Sequence, residues 1–194
     1  APAHAANGDQ PLNLGFEGQP STTTLADLGI ATDFTRTTLL TQASYPGGDG
    51  SMWDPGTYVV GTNPNDFHPF WVDWDGATDN MLFVNGFTNE DQRVLDVTVQ
   101  GQVCTTPGSN ITFEFGANMA NILPLSAASD GGAEISVTIN GTSIGSEVVL
   151  TNDPSNQITI TGAAPAAADG SLNVVIWNNG TAYSGNDFAI DDLT

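Results

Sequence analysis

The chain has 194 residues, 39% of them apolar, and a formal net charge of −20 set by 22 acidic residues against only Arg36 and Arg93. That length and apolar content suffice for one buried core, so a single domain is expected. The charge repels phosphate backbones and anionic headgroups, which excludes nucleic acid as a partner, and no apolar run is long enough to insert into a membrane as a helix.

The acidity does not signal disorder, because only 12% of residues are charged and aromatic residues recur along the chain. It fits either solubility in salty or calcium-rich surroundings or a specific need for divalent cations. Cys104 is the lone cysteine. An internal disulfide is therefore impossible, and its place in the alternating run VTVQGQVC predicts a small buried thiol.

Residues 1–11, APAHAANGDQP, are small and polar and predict an N-terminal arm ahead of a domain spanning 12–194. Their composition resembles the start of a mature exported chain, so a secreted, extracellular or cell-surface location is expected. Leu12–Phe16 is predicted as the first strand. In LADLGIATDF, Leu25 and Leu28 share a face and predict a helical turn. YPGGDGSMWDPG is a loop by composition, TYVVGT a strand, and NPNDFHPFWVDWDGATDN a long insertion ahead of a buried strand, MLFVNG. Loops of that length in compact domains tend to carry function.

The second half is more regular. RVLDVTVQGQV, SNITFEFGANM, EISVTINGTSI, SEVVLT, QITITGA, SLNVVIWNN and DFAIDDL read as strands of alternating polarity, and TPGSN, SDGGA, NDPSN, PAAADG and NGTAYSGN separate them with turn chemistry. The sum is an all-β protein: a two-sheet antiparallel β-sandwich of jelly-roll type with about nine strands. In the last segment, alternation sends Phe188, Ile190 and Asp192 to one face and Ala189, Asp191 and Leu193 to the other. A carboxylate inside such a run is costly to bury without a compensating cation or donors.

The blocks NLGFEG, GTYVVGTNPNDFHPFW, DNMLFVNG, ISVTINGTSIGS and GNDFAIDDL, taken in that order, resemble a galactose-binding-like β-sandwich over residues 12–194. This type is similar to the calcium-containing jelly-roll carbohydrate-binding modules of secreted bacterial proteins. The resemblance implies a structural calcium held by Glu17, Asp191 and Asp192, with backbone carbonyls near Asn13 and Leu14 as further ligands. Calcium takes six to eight oxygens, which two meeting chain ends can supply. The alternative is that Asp191 and Asp192 charge an edge strand against unwanted pairing.

Two further groups stand out. Asp73, Asp75 and Asp79 in DWDGATDN have the spacing of a short cation loop and form a possible second metal site, or else a solvated acidic loop. Between Trp53 and Trp74 lie Trp53, Tyr58, Phe67, Phe70, Trp71 and Trp74. Sugar C–H faces stack on such rings while His68 and nearby Asp and Asn bond the hydroxyls. Trp53, Phe67, His68, Phe70, Trp71 and Trp74 are thus the candidate ligand-binding set, with a satellite core under a long loop as the competing reading.

No Ser/His/Asp order, zinc-spaced cluster or phosphate loop is present, and His4 and His68 are the only imidazoles. A non-catalytic adhesion module of a cell surface or matrix, binding glycan or polysaccharide and stabilised by calcium, is the expected function. The alternative is a structural subunit that forms a homopolymer, an extracellular filament or matrix, through its N-terminal arm or its sheet edges.

Overall fold

The computed structural model describes residues 15–19, 24–33, 35–36, 52, 55–74, 78–86, 91–99, 106–124, 132–153, 156–181 and 186–194, with the backbone alone at 35–36. The predicted arm, Asn13, Trp53, Asp75 and Cys104 lie outside them.

Among the described residues, ten strands form two sheets: β1 (Thr35–Arg36), β2 (Thr57–Gly61), β3 (Met81–Asn85), β4 (Gln92–Val99), β5 (Asn110–Asn121), β6 (Glu134–Ile139), β7 (Thr142–Val149), β8 (Gln157–Pro165), β9 (Leu172–Asn178) and β10 (Asp187–Asp191). Their order is β1-β2-β3-β10-β5-β8 in one sheet and β4-β9-β6-β7 in the other. The pairs β3·β10, β4·β9, β5·β8 and β6·β7 nest inside one another and alternate between sheets. That is one long hairpin wound into a sandwich, the jelly roll expected from the sequence. Among the described residues, only the two-residue contact of β1 with β2 is parallel.

Strand alternation builds the core. Tyr58 and Val60, Leu82 and Val84, and Phe188 and Ile190 point between the sheets, where they meet Ile135, Val137, Val174 and Ile176. Val59, Phe83 and Ala189 point to the opposite face of the six-stranded sheet. A second cluster covers them there, made with Met52, Phe67, Trp71, Ile122 and Leu123. The molecule is thus three-layered on that side.

Three expectations change. Phe16 is buried in the main core but leads into the turn Phe16–Gln19, closed by Gln19 N–H on Phe16 O at 3.0 Å, and lies in no strand. EISVTINGTSI is not one strand: Asn140 and Gly141 adopt φ of 49° and 75° and fold it into the β6–β7 hairpin. Asn-Gly is the pair that accepts positive φ at both central positions of a tight hairpin turn. Finally, Asp192 has φ 50°, which breaks the alternation after Asp191 and turns Leu193 into the main core beside Phe188 and Ile190. The predicted helical turn is realised as a short 3-10 segment, Leu25–Leu28, capped by Thr24.

Candidate functional site

The insertion after β2 is closed at its base by one residue. Asn63 Oδ1 accepts from the backbone N–H groups of Asn65 (3.2 Å) and Trp74 (3.0 Å), while its Nδ2 donates to Asp73 Oδ1 at 2.8 Å. Inside the loop, Asn65 Nδ2 donates to the carbonyls of Trp71 (3.2 Å) and Pro69 (3.4 Å). Val72 N–H then bonds Ile122 O at 2.8 Å, tying the loop to the segment after β5.

These ties aim the rings. Phe67 packs on Phe83 with centroids 5.7 Å apart, Trp74 meets Phe83 edge-on at 6.2 Å, and Trp71 is only 2% exposed. The reason is the apolar outer face of β2, β3 and β10, which would otherwise meet water. Phe67 and Trp71 therefore fill the satellite core, Trp74 is half-buried against it, and Phe70 projects outward, 64% exposed.

His68 joins the two environments. Its ring stacks on Trp71 at 5.1 Å and lies 5.8 Å from the ring of Phe70, while its Nδ1 accepts the Phe70 N–H at 3.3 Å. Burial lowers its pKa to about 4, so the imidazole is neutral at ordinary pH. Beneath it, Trp71 Nε1 donates to Asp187 Oδ2 at 2.9 Å, and Gly86 N–H donates to Asp187 Oδ1 at 3.2 Å. Loss of hydration raises Asp187 to about 6, against the opposing pull of those two donors.

A separate acidic cluster forms where the N-terminal turn, the end of the insertion and β10 meet. Glu17, Asp79 and Asp191 each bring a carboxylate oxygen to within 4.8 Å of the others. Gly15 makes room for this: a Cβ there would lie 2.1 Å from Glu17 Oε2, so the carboxylate folds back over bare backbone. Asn80 Nδ2 donates to Gln19 O at 2.8 Å and holds the Asp79 loop beside the turn. Asp191 is 2% exposed and accepts the Phe16 N–H at 3.2 Å. Its pKa rises to about 6, chiefly through burial, with the charges of Asp192 and Glu17 adding to that.

The two metal groups expected from the sequence are thus regrouped. Asp79 joins Glu17 and Asp191, whereas Asp73 is engaged by Asn63. Asp192 accepts from Asn118 Nδ2 at 2.6 Å and is outside the cluster. Asn13, Asp75 and Trp53 lie outside the described residues. Sequence reasoning overlooked Asp187, although it shares the alternation of Asp191 four residues on, which places both on the outer face of the six-stranded sheet.

No family model and no curated protein matches the chain. Among solved structures it is similar to the N-terminal CBM22-1–CBM22-2 tandem domain of Paenibacillus barcinonensis Xyn10C, at 14% identity and a TM-score of 0.50, over 97% of this chain and 44% of that one. The chain therefore spans less than half the length of that tandem. It is also similar to the C-terminal domain of EclA, described as a sugar-binding protein (21% identity, TM-score 0.41, 55% of this chain and 68% of that one). A third similar structure is TmCBM61 in complex with β-1,4-galactotriose (14% identity, TM-score 0.35, 76% and 92%). What the chain shares with the CBM22-1–CBM22-2 tandem is the two-sheet β-sandwich fold.

Proposed function

We propose that the protein is a secreted, non-catalytic carbohydrate-binding module that serves adhesion at a cell surface or matrix. The observation that carries this reading is Phe70, a ring held outward on a loop whose other rings face the core. An exposed phenyl fixed by the His68 contact and the Asn65 bonds is ready to stack on the C–H face of a sugar without first being ordered. The sandwich fold, common to the carbohydrate-binding modules above, supports the same reading.

Calcium fits the acidic cluster. Three hard carboxylate oxygens converge there, one of them on a buried residue flanked by like charges, and such a group calls for a cation. Glu17, Asp79 and Asp191 would hold the ion, and its charge would tie the N-terminal turn, the insertion and β10 together. Assembly into a homopolymer, through the N-terminal arm or the sheet edges, gains no supporting observation among the described residues, and the arm lies outside them.

The test is affinity electrophoresis of the wild type and Phe70→Ala through gels carrying neutral polysaccharides, in calcium. Retardation of the wild type that Phe70→Ala reduces supports the proposal. A wild type unretarded by every polysaccharide overturns it.

A further inference from the structure

The outer face of the four-stranded sheet has a different character from that of the six-stranded one. Val174 and Ile176 point into the core, so Trp177, the residue after Ile176, points out, and the register sets it in a row with Arg93 on β4 and Ser136 on β6. Trp177 is half-buried, and its Nε1 donates at 3.1 Å to Thr138 Oγ1, two residues along the neighbouring strand. The indole is therefore laid along the sheet, not standing upright from it.

Its polar neighbours are already held in place. Asn179 Nδ2 donates to Ser136 Oγ at 2.9 Å and to Glu147 Oε2 at 2.5 Å. On the other flank the Arg93 guanidinium is fixed by Asp33 at 2.7 Å and Asp96 at 3.1 Å. Four strands at a spacing of about 4.8 Å give a strip roughly 14 Å across, with one aromatic ring and the exposed Val149 amid amide, hydroxyl and charged groups.

We infer that this strip is a second glycan-contact site, with Trp177 as its platform, and that it takes a neutral polysaccharide chain lying across the sheet. The inference rests on the carbohydrate-binding reading above. The occupant follows from the surface. A stable protein interface wants an apolar centre within about 800 Å² per partner, and a strip whose exposed apolar groups are one half-buried indole and Val149, set among hydrogen-bonded polar groups, does not supply one. A net charge of −20 repels an anionic polymer. A neutral sugar chain offers C–H faces to the indole and hydroxyls to Asn179, Ser136, Glu147 and Arg93. The Phe70 loop covers the outer face of the other sheet, so the two contacts lie on opposite sides of the sandwich and one molecule can bridge two chains.

The test follows the indole N–H resonances by NMR while xylohexaose and, separately, β-1,4-galactotriose are added to the wild type, Phe70→Ala and Trp177→Phe, the last assigning the Trp177 signal by its loss. The expected result is a saturable shift of the Trp177 resonance that persists in Phe70→Ala, and in affinity electrophoresis the retardation that remains in Phe70→Ala should fall at least tenfold when Trp177→Ala is added to it. If retention depends on Phe70 while the Trp177 resonance stays still, the strip is not a site and the carbohydrate-binding reading stands. If neither sugar binds and no polysaccharide retards the wild type, both fall.

Discussion

Trp71 Nε1 donates a 2.9 Å hydrogen bond to Asp187 Oδ2 across 116 positions of sequence, and this bond ties the insertion to the first residue of β10. The carboxyl it meets holds its proton up to about pH 6 in the folded chain, against an ordinary 3.8. Between those values the folded state binds a proton that the unfolded state has lost. Stability from this group is therefore fully present below pH 4 and falls as pH rises through 6.

The expected outcome is a melting temperature that declines from pH 4 to pH 7 in calcium-free buffer, with a smaller slope in Asp187→Asn. Because part of Asp187 is open to water, the difference between the two slopes should amount to about 1 kcal/mol, or roughly 2–4 °C for a chain of this size. Parallel slopes in a thermal series across that range would show that Asp187 does not titrate as its burial implies.

Phe70 and Trp71 are chain neighbours with opposite expected phenotypes. Phe70→Ala should leave the melting temperature within about 1–2 °C of wild type, as befits an exposed side chain, while weakening polysaccharide retention. Trp71→Ala removes a core ring and the donor to Asp187, and should cost about 3–5 kcal/mol in urea unfolding. Equal stability losses would mean that Phe70 is packed too.

The fold was legible because jelly-roll strands alternate: Tyr58, Val60, Leu82 and Val84 announce their inward face by period alone. What alternation does not carry is loop geometry. The insertion showed four aromatic residues, Phe67, Phe70, Trp71 and Trp74, but only the apolar outer face formed by Val59, Phe83 and Ala189 decides that Phe67 and Trp71 turn inward and Phe70 outward. Asp79 was visible as a carboxylate beside Asp73. Its placement with Glu17 depends on the Asn80–Gln19 bond, a contact 61 residues apart that no local pattern encodes. The break at Asp192 depends on a positive φ that a non-glycine residue seldom advertises.

The β6–β7 hairpin yields a prediction on backbone alone. Gly141 has φ 75° and no atom near the place a Cβ would take, so substitution there costs conformation and not space. Gly141→Val should destabilise the chain by about 1–3 kcal/mol in urea unfolding, and Gly141→Asn, which tolerates the left-handed region, by markedly less. Equal losses would show that the turn relaxes into another type.

The acidic cluster separates residues that the sequence could not. Glu17→Gln should remove a calcium-dependent rise in melting temperature, whereas Asp192→Asn, whose side chain is engaged with Asn118, should keep it. Ion at a hundredfold excess over its Kd adds about 2.7 kcal/mol, which is roughly 5–11 °C here. Gly15→Ala tests the same site without touching a ligand. Its new Cβ would displace the Glu17 carboxylate, and the calcium response should shrink as it does in Glu17→Gln. Differential scanning calorimetry with millimolar calcium and with chelator reads all three variants. A full response in both Glu17→Gln and Gly15→Ala would move the ion away from this turn, and a lost response in Asp192→Asn would bring that carboxylate back into the ligand set.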